Sequence, residues 1–292
     1  MYEKILVPLD GSKLARQVFP YVVELAKNFS SEAILVAVCD PEETEESKVC
    51  RLYLNNEAEK LKKLMRASAV HVKTAVLGGK PAEQILDYAE KNNIRVIIFS
   101  SHGRSGIKPW SVGSTVHEVL HKVGIPLIIV RAKEEDEPVK TGLFDTILIP
   151  LDGSKKAELV LPYVIELSKK VKFEVILTQV IEVGRHVHTI GGLEYVSFND
   201  QDIDKEKSES RRYLKKIKSQ FTGTKARVIT EVRVGNSAEE IIKLTTEKDC
   251  SLIAMSSHGR SGIEAWVYGS VTRKILQTSF RSVMFVPSFT KR

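Results

Sequence analysis

The chain has 292 residues, of which 42% are hydrophobic and 28% are charged, and its formal net charge is +7. This balance is typical of globular proteins and excludes the disordered and fibrous classes. The length suffices for two domains of about 150 residues, although one extended domain is also open. Since no apolar run approaches the roughly 18 residues that cross a bilayer, we expect no membrane association.

The positive charge raises nucleic-acid binding as a possible function. However, Lys and Arg are interleaved with Glu, as in EAEKLKKLMR and DIDKEKSESRRYLKKIKS. That pattern is typical of solvated helix faces. We therefore expect no nucleic-acid partner, while a modest positive excess suits an anionic small ligand.

The cysteines and the N-terminus both indicate a cytoplasmic location. Cys39, Cys50 and Cys250 show no C-x-x-C spacing, and their odd number leaves one unpaired. This favours a reducing interior and argues against a disulfide framework. The N-terminus enters a strand pattern at once, with charges at Glu3 and Lys4, which does not fit a signal peptide.

The predicted elements of the first half alternate between strand and helix. KILVPL, EAILVAV, HVKTAVL, RVIIFS and PLIIV are strand patterns, and most are rich in β-branched residues. Helical patterns lie between them at residues 12–29, 46–68, 80–93 and 113–123, the last with Ser114 as the expected N-cap. This order predicts a doubly wound parallel sheet with helices on both faces.

The second half repeats the first. YEKILVPLDGSKLARQVFPYVVELAK (2–27) aligns without a gap on FDTILIPLDGSKKAELVLPYVIELSK (144–169), and SSHGRSGI occurs at 100–107 and at 256–263. The distance from the first repeated stretch to the second is about 14 residues longer in the second copy than in the first. The second copy therefore carries an insertion, which we place at 184–200. We expect one domain at 1–132, a charged linker at 133–142 and a second domain at 143–292.

The repeated SSHGRSG stretch follows the fourth strand and leads to Gly113 and Ser114 at the start of the last helix. Ligands of doubly wound sheets bind beyond the carboxyl ends of the strands, where the strand order reverses. Glycines let backbone N–H groups approach a phosphate, and a helix N-terminus adds further donors. Asp10, repeated as Asp152, follows the first strand, where a carboxylate accepts hydrogen bonds from ribose hydroxyls.

These residues resemble the universal stress protein family, and the similarity covers nearly all of both copies. Nucleotide-binding members carry G-x2-G-x9-G-[ST], and this chain has Ser100-x2-Gly103-x9-Gly113-Ser114 and Ser256-x2-Gly259-x9-Gly269-Ser270. The resemblance implies two tandem α/β domains of the adenine nucleotide alpha hydrolase-like fold, with strand order 3-2-1-4-5. It further implies an internal pseudo-dimer whose final strands lie at the seam, and a further homodimer stays open.

One adenine-nucleotide site per copy follows from the same resemblance, with ATP, ADP or AMP as ligand and Mg²⁺ accompanying ATP. The first site would consist of Pro8, Asp10, Val38, Ser100, His102, Gly103, Gly113, Ser114 and Thr115. The second would consist of Pro150, Asp152, Val180, Ser256, His258, Gly259, Gly269, Ser270 and Val271. Serine replaces the first glycine of the motif in both copies, and it either crowds the nucleotide or hydrogen-bonds to it.

Simpler roles compete with ligand binding at several positions. Asp10 and Asp152 also suit a turn or helix cap, and His102 and His258 suit hydrogen bonds within their loops. His117 and His121 have a metal-pair spacing, but Arg273 and Gln277 stand at the equivalent positions of the second copy, which favours a solvated helix face. The HVH at 186–188 has no third ligand, so we expect no metal site.

A regulatory or stress-response role is the leading interpretation. The chain has no G-x4-G-K-[ST] loop and no evident acid pair for Mg²⁺, which argues against fast phosphoryl transfer. We assign no catalytic residue. The alternatives are a slow ATP hydrolase and a scaffold with vestigial sites.

Overall fold

The computed structural model describes residues 1–39, 44–65, 71–103, 106, 112–133, 143–182, 187–190, 193–196, 200–258 and 269–288. In the first copy the strands are β1 (Lys4–Pro8), β2 (Glu32–Cys39), β3 (Val72–Gly78), β4 (Val96–Ser100) and β5 (Leu127–Val130). The helices are α1 (Phe19–Phe29), α2 (Thr44–Met65), α3 (Pro81–Lys91) and α4 (Ser114–Lys122). The alternation of strand and helix predicted from the sequence is confirmed.

The second copy repeats this order and adds two short strands. Its strands are β6 (Thr146–Pro150), β7 (Glu174–Ile181), β8 (Val187–Ile190), β9 (Leu193–Val196), β10 (Arg227–Val234), β11 (Leu252–Ser256) and β12 (Ser282–Val286). Its helices are α5 (Leu161–Lys170), α6 (Asp200–Ser219), α7 (Ser237–Glu247) and α8 (Ser270–Thr278). The antiparallel pair of β8 and β9 lies where the insertion was predicted.

The two copies share one ten-stranded sheet. The first copy contributes the order β3-β2-β1-β4-β5 and the second β10-β7-β6-β11-β12, which is the predicted order 3-2-1-4-5 in each. Pairing is parallel within each copy, but β5 and β12 pair antiparallel, with Val283 opposite Ile129 and Phe285 opposite Leu127. The final strands of the two copies thus lie at the seam, as predicted, and they join the two parallel halves into one mixed sheet because each edge strand satisfies the other's hydrogen bonds.

Helices cover both faces of the sheet. One core lies under α1, α2, α5 and α6, where Leu25 and Leu214 are fully buried, and the other lies under α3, α4, α7 and α8, where Val119 and Ile275 are fully buried. Strands buried on both faces read as continuous apolar runs, which explains why VIIFS and LIIV lack alternation. The fold is a doubly wound α/β architecture.

Polar contacts reinforce the seam between the copies. The Tyr21 hydroxyl and the Ser282 hydroxyl are 3.0 Å apart, and the Arg131 N–H donates to Ser282 Oγ at 3.1 Å. The Tyr2 hydroxyl donates to the Tyr163 carbonyl oxygen at 3.0 Å. Each of these hydrogen bonds joins one copy to the other, so they add to the backbone pairing of β5 with β12.

The expectation of no disulfide is wrong for one pair. Cys39 and Cys50 are bonded across a sequence separation of 11 residues, while Cys250 is free and buried. Cys39 ends β2 and Cys50 lies early in α2, which runs back along β2, so the fold brings the two sulfur atoms together. No spacing motif signals such a contact, because it depends on how the helix packs.

Two helix starts also differ from expectation. The pattern predicted as one helix over 12–29 begins with a 3₁₀ segment, Leu14–Val18, and becomes α-helical where Pro20 occupies the first turn. The predicted cap Ser114 is the first helical residue of α4, and Gly113 is the N-cap.

Candidate functional site

The carboxyl ends of the first, second and fourth strands of each copy meet the N-terminus of its last helix. In the first copy Pro8 ends β1, Val38 lies next to the end of β2, and Ser100 ends β4. The Gly113 N–H donates to the Ser101 carbonyl oxygen at 2.8 Å, which ties the start of α4 to the end of β4. In the second copy Gly269 bonds to Ser257 in the same way at 2.9 Å.

The aspartate after the first strand shapes the turn that follows it. Asp10 Oδ1 accepts from the Ser12 N–H at 3.0 Å, and Asp152 Oδ1 accepts from the Ser154 N–H at 2.9 Å. The glycine between each pair has a positive φ, 89° for Gly11 and 86° for Gly153. The turn role considered from the sequence is thus present, and it uses one oxygen of each carboxylate.

Gly103 lies directly against the Asp10 carboxylate. A Cβ at position 103 would collide with Asp10 Oδ2. Gly113 differs, because a Cβ there would lie 3.6 Å from the Ser101 carbonyl oxygen, an ordinary contact distance. The glycine of the loop is therefore required by packing against Asp10, whereas packing does not require a glycine before α4.

The histidines of the repeated stretch hydrogen-bond within their loops. His102 Nδ1 is 2.9 Å from Ser101 Oγ, and His258 Nδ1 is 3.0 Å from Ser257 Oγ and 3.0 Å from Ser288 Oγ. This agrees with the loop role considered from the sequence. His102 is 4% exposed, so its side chain is buried beneath the loop surface.

Helices α4 and α8 present their first backbone N–H groups without side-chain caps. Gly113 and Gly269 are the N-caps, and neither residue has a side chain that can accept from the first turn. The first N–H groups of a helix have no partner within it and carry the positive end of its dipole. Both helix starts are therefore suited to an anion.

A cavity of about 720 Å³ opens at this place in the second copy. Of the nine residues predicted for the second site, eight line it: Pro150, Asp152, Val180, Ser256, His258, Gly269, Ser270 and Val271. The ninth, Gly259, lies outside the described residues. Residues that are far apart in the sequence thus come together around one space.

The cavity also has a wall that the sequence did not predict. Gln179, near the end of β7, and Glu182, just after it, line the cavity together with three residues of α6, Glu206, Glu209 and Tyr213. On the other side Ser237 and Ile241 of α7 contribute. The α6 residues were missed because α6 follows the insertion, where the two copies do not align without a gap, and Gln179 was missed because the first copy has Ala37 at the equivalent position.

A model of the universal stress protein family matches residues 1–131 and again residues 143–287. The chain belongs to the universal stress protein family. Universal stress protein MJ0531 of Methanocaldococcus jannaschii is 26% identical over 146 residues, which cover 47% of this chain and 86% of the relative. Universal stress protein YxiE of Bacillus subtilis is 31% identical over 148 residues, which cover 45% of this chain and 100% of the relative. Each of these relatives corresponds in length to about one copy.

Solved structures share the two-copy fold along the whole chain. A universal stress protein from Archaeoglobus fulgidus DSM 4304 covers 99% of this chain and 100% of its own, with a TM-score of 0.66 and 20% identity. A functionally unknown protein, PA1789 from Pseudomonas aeruginosa PAO1, covers 98% and 92%, with a TM-score of 0.70 and 11% identity. At these identities the likeness shows the fold.

The serine that departs from the universal stress protein motif behaves differently in the two copies. Ser256 lines the cavity, but its hydroxyl donates to the His258 carbonyl oxygen at 2.9 Å. Ser100 is 7% exposed, and its Oγ has no hydrogen-bond partner within the described part of the chain. The second copy therefore uses the extra hydroxyl to hold its own loop, while in the first copy that hydroxyl is buried without a partner.

The first site has a different neighbour on α2. Burial, followed by the carboxylates of Glu57 and Asp10, raises the pKa of Tyr53 to about 12. Tyr53 thus lies close to the aspartate of the first site. Glu57 itself is 3% exposed and pairs with Lys60 at 2.7 Å and with Arg16 at 3.8 Å.

Neither a metal centre nor a membrane helix is found in the ranges that the structure describes. No group of three or more His, Cys, Asp or Glu side chains there is arranged to hold a metal ion. His117 and His121 contact each other edge to face, with ring centroids 4.6 Å apart. The described helices include none long and apolar enough to cross a membrane.

Proposed function

We propose that this protein binds adenine nucleotides, with one site per copy, and has a regulatory or stress-response role in the cytoplasm. The observation that carries the proposal is the second-copy cavity, since eight residues that the family resemblance assigns to a nucleotide line one space of about 720 Å³. Volumes of this size are typical of small-molecule sites.

The two sides of the cavity suit the parts of a nucleotide. The uncapped start of α8, with Gly269 and Ser270, would hold phosphate through backbone N–H groups and a hydroxyl. Asp152 would accept from ribose hydroxyls, and Pro150 and Val180 would contact the base. The first site would use the equivalent residues, with Gly113 and Ser114 at the phosphate. Mg²⁺ would enter with ATP.

The two domains, 1–132 and 143–292, would work as an internal pseudo-dimer joined by the linker 133–142. The β5–β12 ladder supports this arrangement, because it closes the edge of each copy against the other. A further homodimer would have to use a different surface.

Calorimetric titration with AMP, ADP and ATP tests the proposal. We expect close to two sites per chain, with unequal affinities because the α2 and α6 walls differ. Gly269→Val should abolish the second site alone, and Gly113→Val the first alone. A Cβ at position 269 would lie 3.7 Å from the Ser257 carbonyl oxygen, so the fold accepts it and lost binding reports on the ligand's space.

Mass spectrometry of the denatured, freshly purified protein identifies any nucleotide that it retains. The proposal is overturned if no adenine nucleotide is retained and none binds in the titration. It is also overturned if both sites survive the double change Gly113→Val, Gly269→Val.

A further inference from the structure

The Cys39–Cys50 disulfide joins two elements that flank the first site. Cys39 ends β2 and directly follows Val38, which the proposed function assigns to contact with the base. Cys50 lies in the second turn of α2, three residues before Tyr53, so the two residues share a face of that helix. Tyr53 lies close to Asp10 of the first site. The bond therefore links the end of β2 to the helix face that borders this site.

The strand position of this bond is part of the cavity wall in the second copy. Glu32 and Glu174 begin β2 and β7, and they hold the same register against the first strand of their copy. Cys39 therefore corresponds to Ile181, the last residue of β7. Ile181 lines the second-copy cavity.

The helix position of the bond is equivalent to a second residue of the same wall. The buried Leu61 of α2 matches the buried Ile217 of α6, so Cys50 corresponds to Glu206. Glu206 also lines the second-copy cavity. The two wall positions that carry unlinked side chains in the second copy are thus cross-linked in the first.

The disulfide also anchors the start of α2 to the sheet. Among the described side chains of α2, the first that is buried is Leu54, while Val49 and Leu52 are 63% and 65% exposed. Cys50 is partly buried against the core and precedes Leu54 by one turn. Reduction of the bond therefore frees a part of the wall that has no buried side chain among its described residues.

One sulfur of the bond is open to exchange with an external thiol. Cys39 is 6% exposed, whereas Cys50 is only partly buried, so an attacking thiolate reaches the Cys50 sulfur. A new bond forms between the two sulfurs, and Cys39 leaves as a thiolate and takes up a proton. The second thiol of a dithiol reductant then attacks the mixed disulfide and releases Cys50 as a thiol. The reductant supplies two electrons and two protons and ends as a disulfide.

We propose that Cys39 and Cys50 form a thiol–disulfide exchange site, which takes a dithiol reductant as its substrate and sets the nucleotide affinity of the first site. In the oxidised chain the two walls are joined before the nucleotide arrives. After reduction the nucleotide has to order the α2 wall as it binds, which lowers its affinity. Disulfides in the cytoplasm are typically redox-sensing. The inference rests on the proposed function and adds regulation of one of its two sites.

The full-length Gly269→Val chain isolates the first site for calorimetric titration with ATP. We expect the chain reduced with dithiothreitol to bind ATP about tenfold more weakly than the oxidised chain. Cys50→Ser in the same background should bind ATP as weakly as the reduced chain and should not respond to dithiothreitol. Circular dichroism should show the same fold in both redox states, and unfolding of the reduced chain would overturn the inference.

Thermodynamic linkage provides a second measurement. If oxidation raises the affinity for ATP tenfold, saturating ATP must favour the oxidised form by the same factor. Alkylation of free thiols in dithiothreitol redox buffers, followed by mass spectrometry, gives the midpoint potential of the cysteine pair. In the Gly269→Val chain ATP should lower this potential by about 30 mV, the equivalent of a tenfold change for two electrons. In the Gly113→Val chain, whose first site is blocked, ATP should leave the potential unchanged.

Two controls confine the response to this cysteine pair. Cys250→Ala removes the free thiol and should keep the tenfold response in the Gly269→Val background. The second site, isolated in the Gly113→Val chain, should bind ATP equally with and without dithiothreitol.

The outcomes separate this inference from the proposed function. If the first site binds ATP equally in both redox states, or more tightly after reduction, the role of the disulfide is overturned while the proposed function stands. If ATP binds the Gly269→Val chain in neither state, the first site does not exist and both fail.

Discussion

At the residue scale, the neighbouring Asp10 side chain requires glycine at position 103, and the backbone conformation there does not. Any side chain there would collide with the Asp10 carboxylate, which itself holds the turn after β1 through the Ser12 N–H. We expect Gly103→Ala to lower the free energy of unfolding by about 1–3 kcal/mol, since an overpacked site must shift its neighbours. Urea denaturation followed by circular dichroism measures the change.

A double-mutant cycle isolates the cause of that loss. Asp10→Ala removes the colliding carboxylate, so adding Gly103→Ala to it should cost about 1 kcal/mol less than Gly103→Ala costs alone. Equal costs in both backgrounds would show that the collision with Asp10 does not decide the residue at position 103.

Cys250 gives a pH dependence of stability. Burial raises the pKa of its thiol to about 11 from the ordinary value of 9.0. The unfolded chain therefore loses this proton at lower pH than the native protein does. The thiol contributes stability that is fully present below pH 9 and is lost as the pH rises from about 9 to about 11.

The measurement is urea denaturation at pH 8 and at pH 10.5 for the native chain and for Cys250→Ala. The variant should lose less stability between the two pH values, by about 1–2 kcal/mol, because one raised group accounts for that part of the slope. Parallel loss in both proteins would contradict the prediction. Tyrosines that titrate in the same range affect both chains alike and cancel in the difference.

The sequence could predict the site residues that the two copies share. Asp152, Gly269 and Ser270 stand in stretches that repeat with the first copy and match the family motif, so the resemblance identified them, and they line the cavity. Gln179 and Glu209 could not be found in this way, since each differs from its equivalent in the first copy. A site wall that one copy alone possesses leaves no repeat signal, and the packing of α6 on β7 reveals it.

At the element scale, the Cys39–Cys50 bond joins the end of β2 to α2 in the first copy. The bond closes a loop of 11 residues, and cross-links of this kind typically contribute about 2–4 kcal/mol. Cys50→Ser should therefore lower the free energy of unfolding by that amount when no reductant is present. Denaturation with and without dithiothreitol measures it.

The reductant provides the control for this comparison. Dithiothreitol should bring the native chain down to the stability of Cys50→Ser and leave Cys50→Ser itself unchanged, since Cys250 has no disulfide partner. A native chain whose stability is unaffected by dithiothreitol would contradict the prediction.

In each copy a 3₁₀ segment contacts a long helix, α2 in the first copy and α6 in the second, but the side chains that form the contact differ. In the first copy Arg16 pairs with Glu57 at 3.8 Å. In the second copy the Tyr213 hydroxyl donates to Glu158 Oε1 at 3.3 Å, at the equivalent positions. The hydrophobic periodicity predicted both helices because it reflects the face that each helix buries. It does not predict which side chains meet across the contact, because that depends on how two elements pack.

At the scale of the whole molecule, the repeat and the strand–helix alternation predicted two doubly wound parallel units, and the family resemblance added the strand order and the position of the final strands. The order 3-2-1-4-5 holds in each copy, and the edge strands LIIV and SVMFV lie at the seam. The direction in which the two edge strands pair was not predicted, since local patterns do not tell whether two such strands run parallel or antiparallel. The antiparallel pairing of Met284 with Ile128 decides that question.

The last prediction concerns the strength of this seam. If the β5–β12 ladder and the Tyr21–Ser282 contact join the copies, the linker is not needed to keep them together. A protease site inserted between residues 133 and 143 should be cut without separating the halves, and the cut protein should elute in size-exclusion chromatography where the uncut chain does. Ile129→Asp places a carboxylate opposite Val283 in the ladder, where it is buried without a partner, and should let the cut halves separate. The uncut Ile129→Asp chain is the reference for folding by circular dichroism. Separation of the cut halves without that substitution would show that the linker, rather than the shared sheet, holds the two copies together.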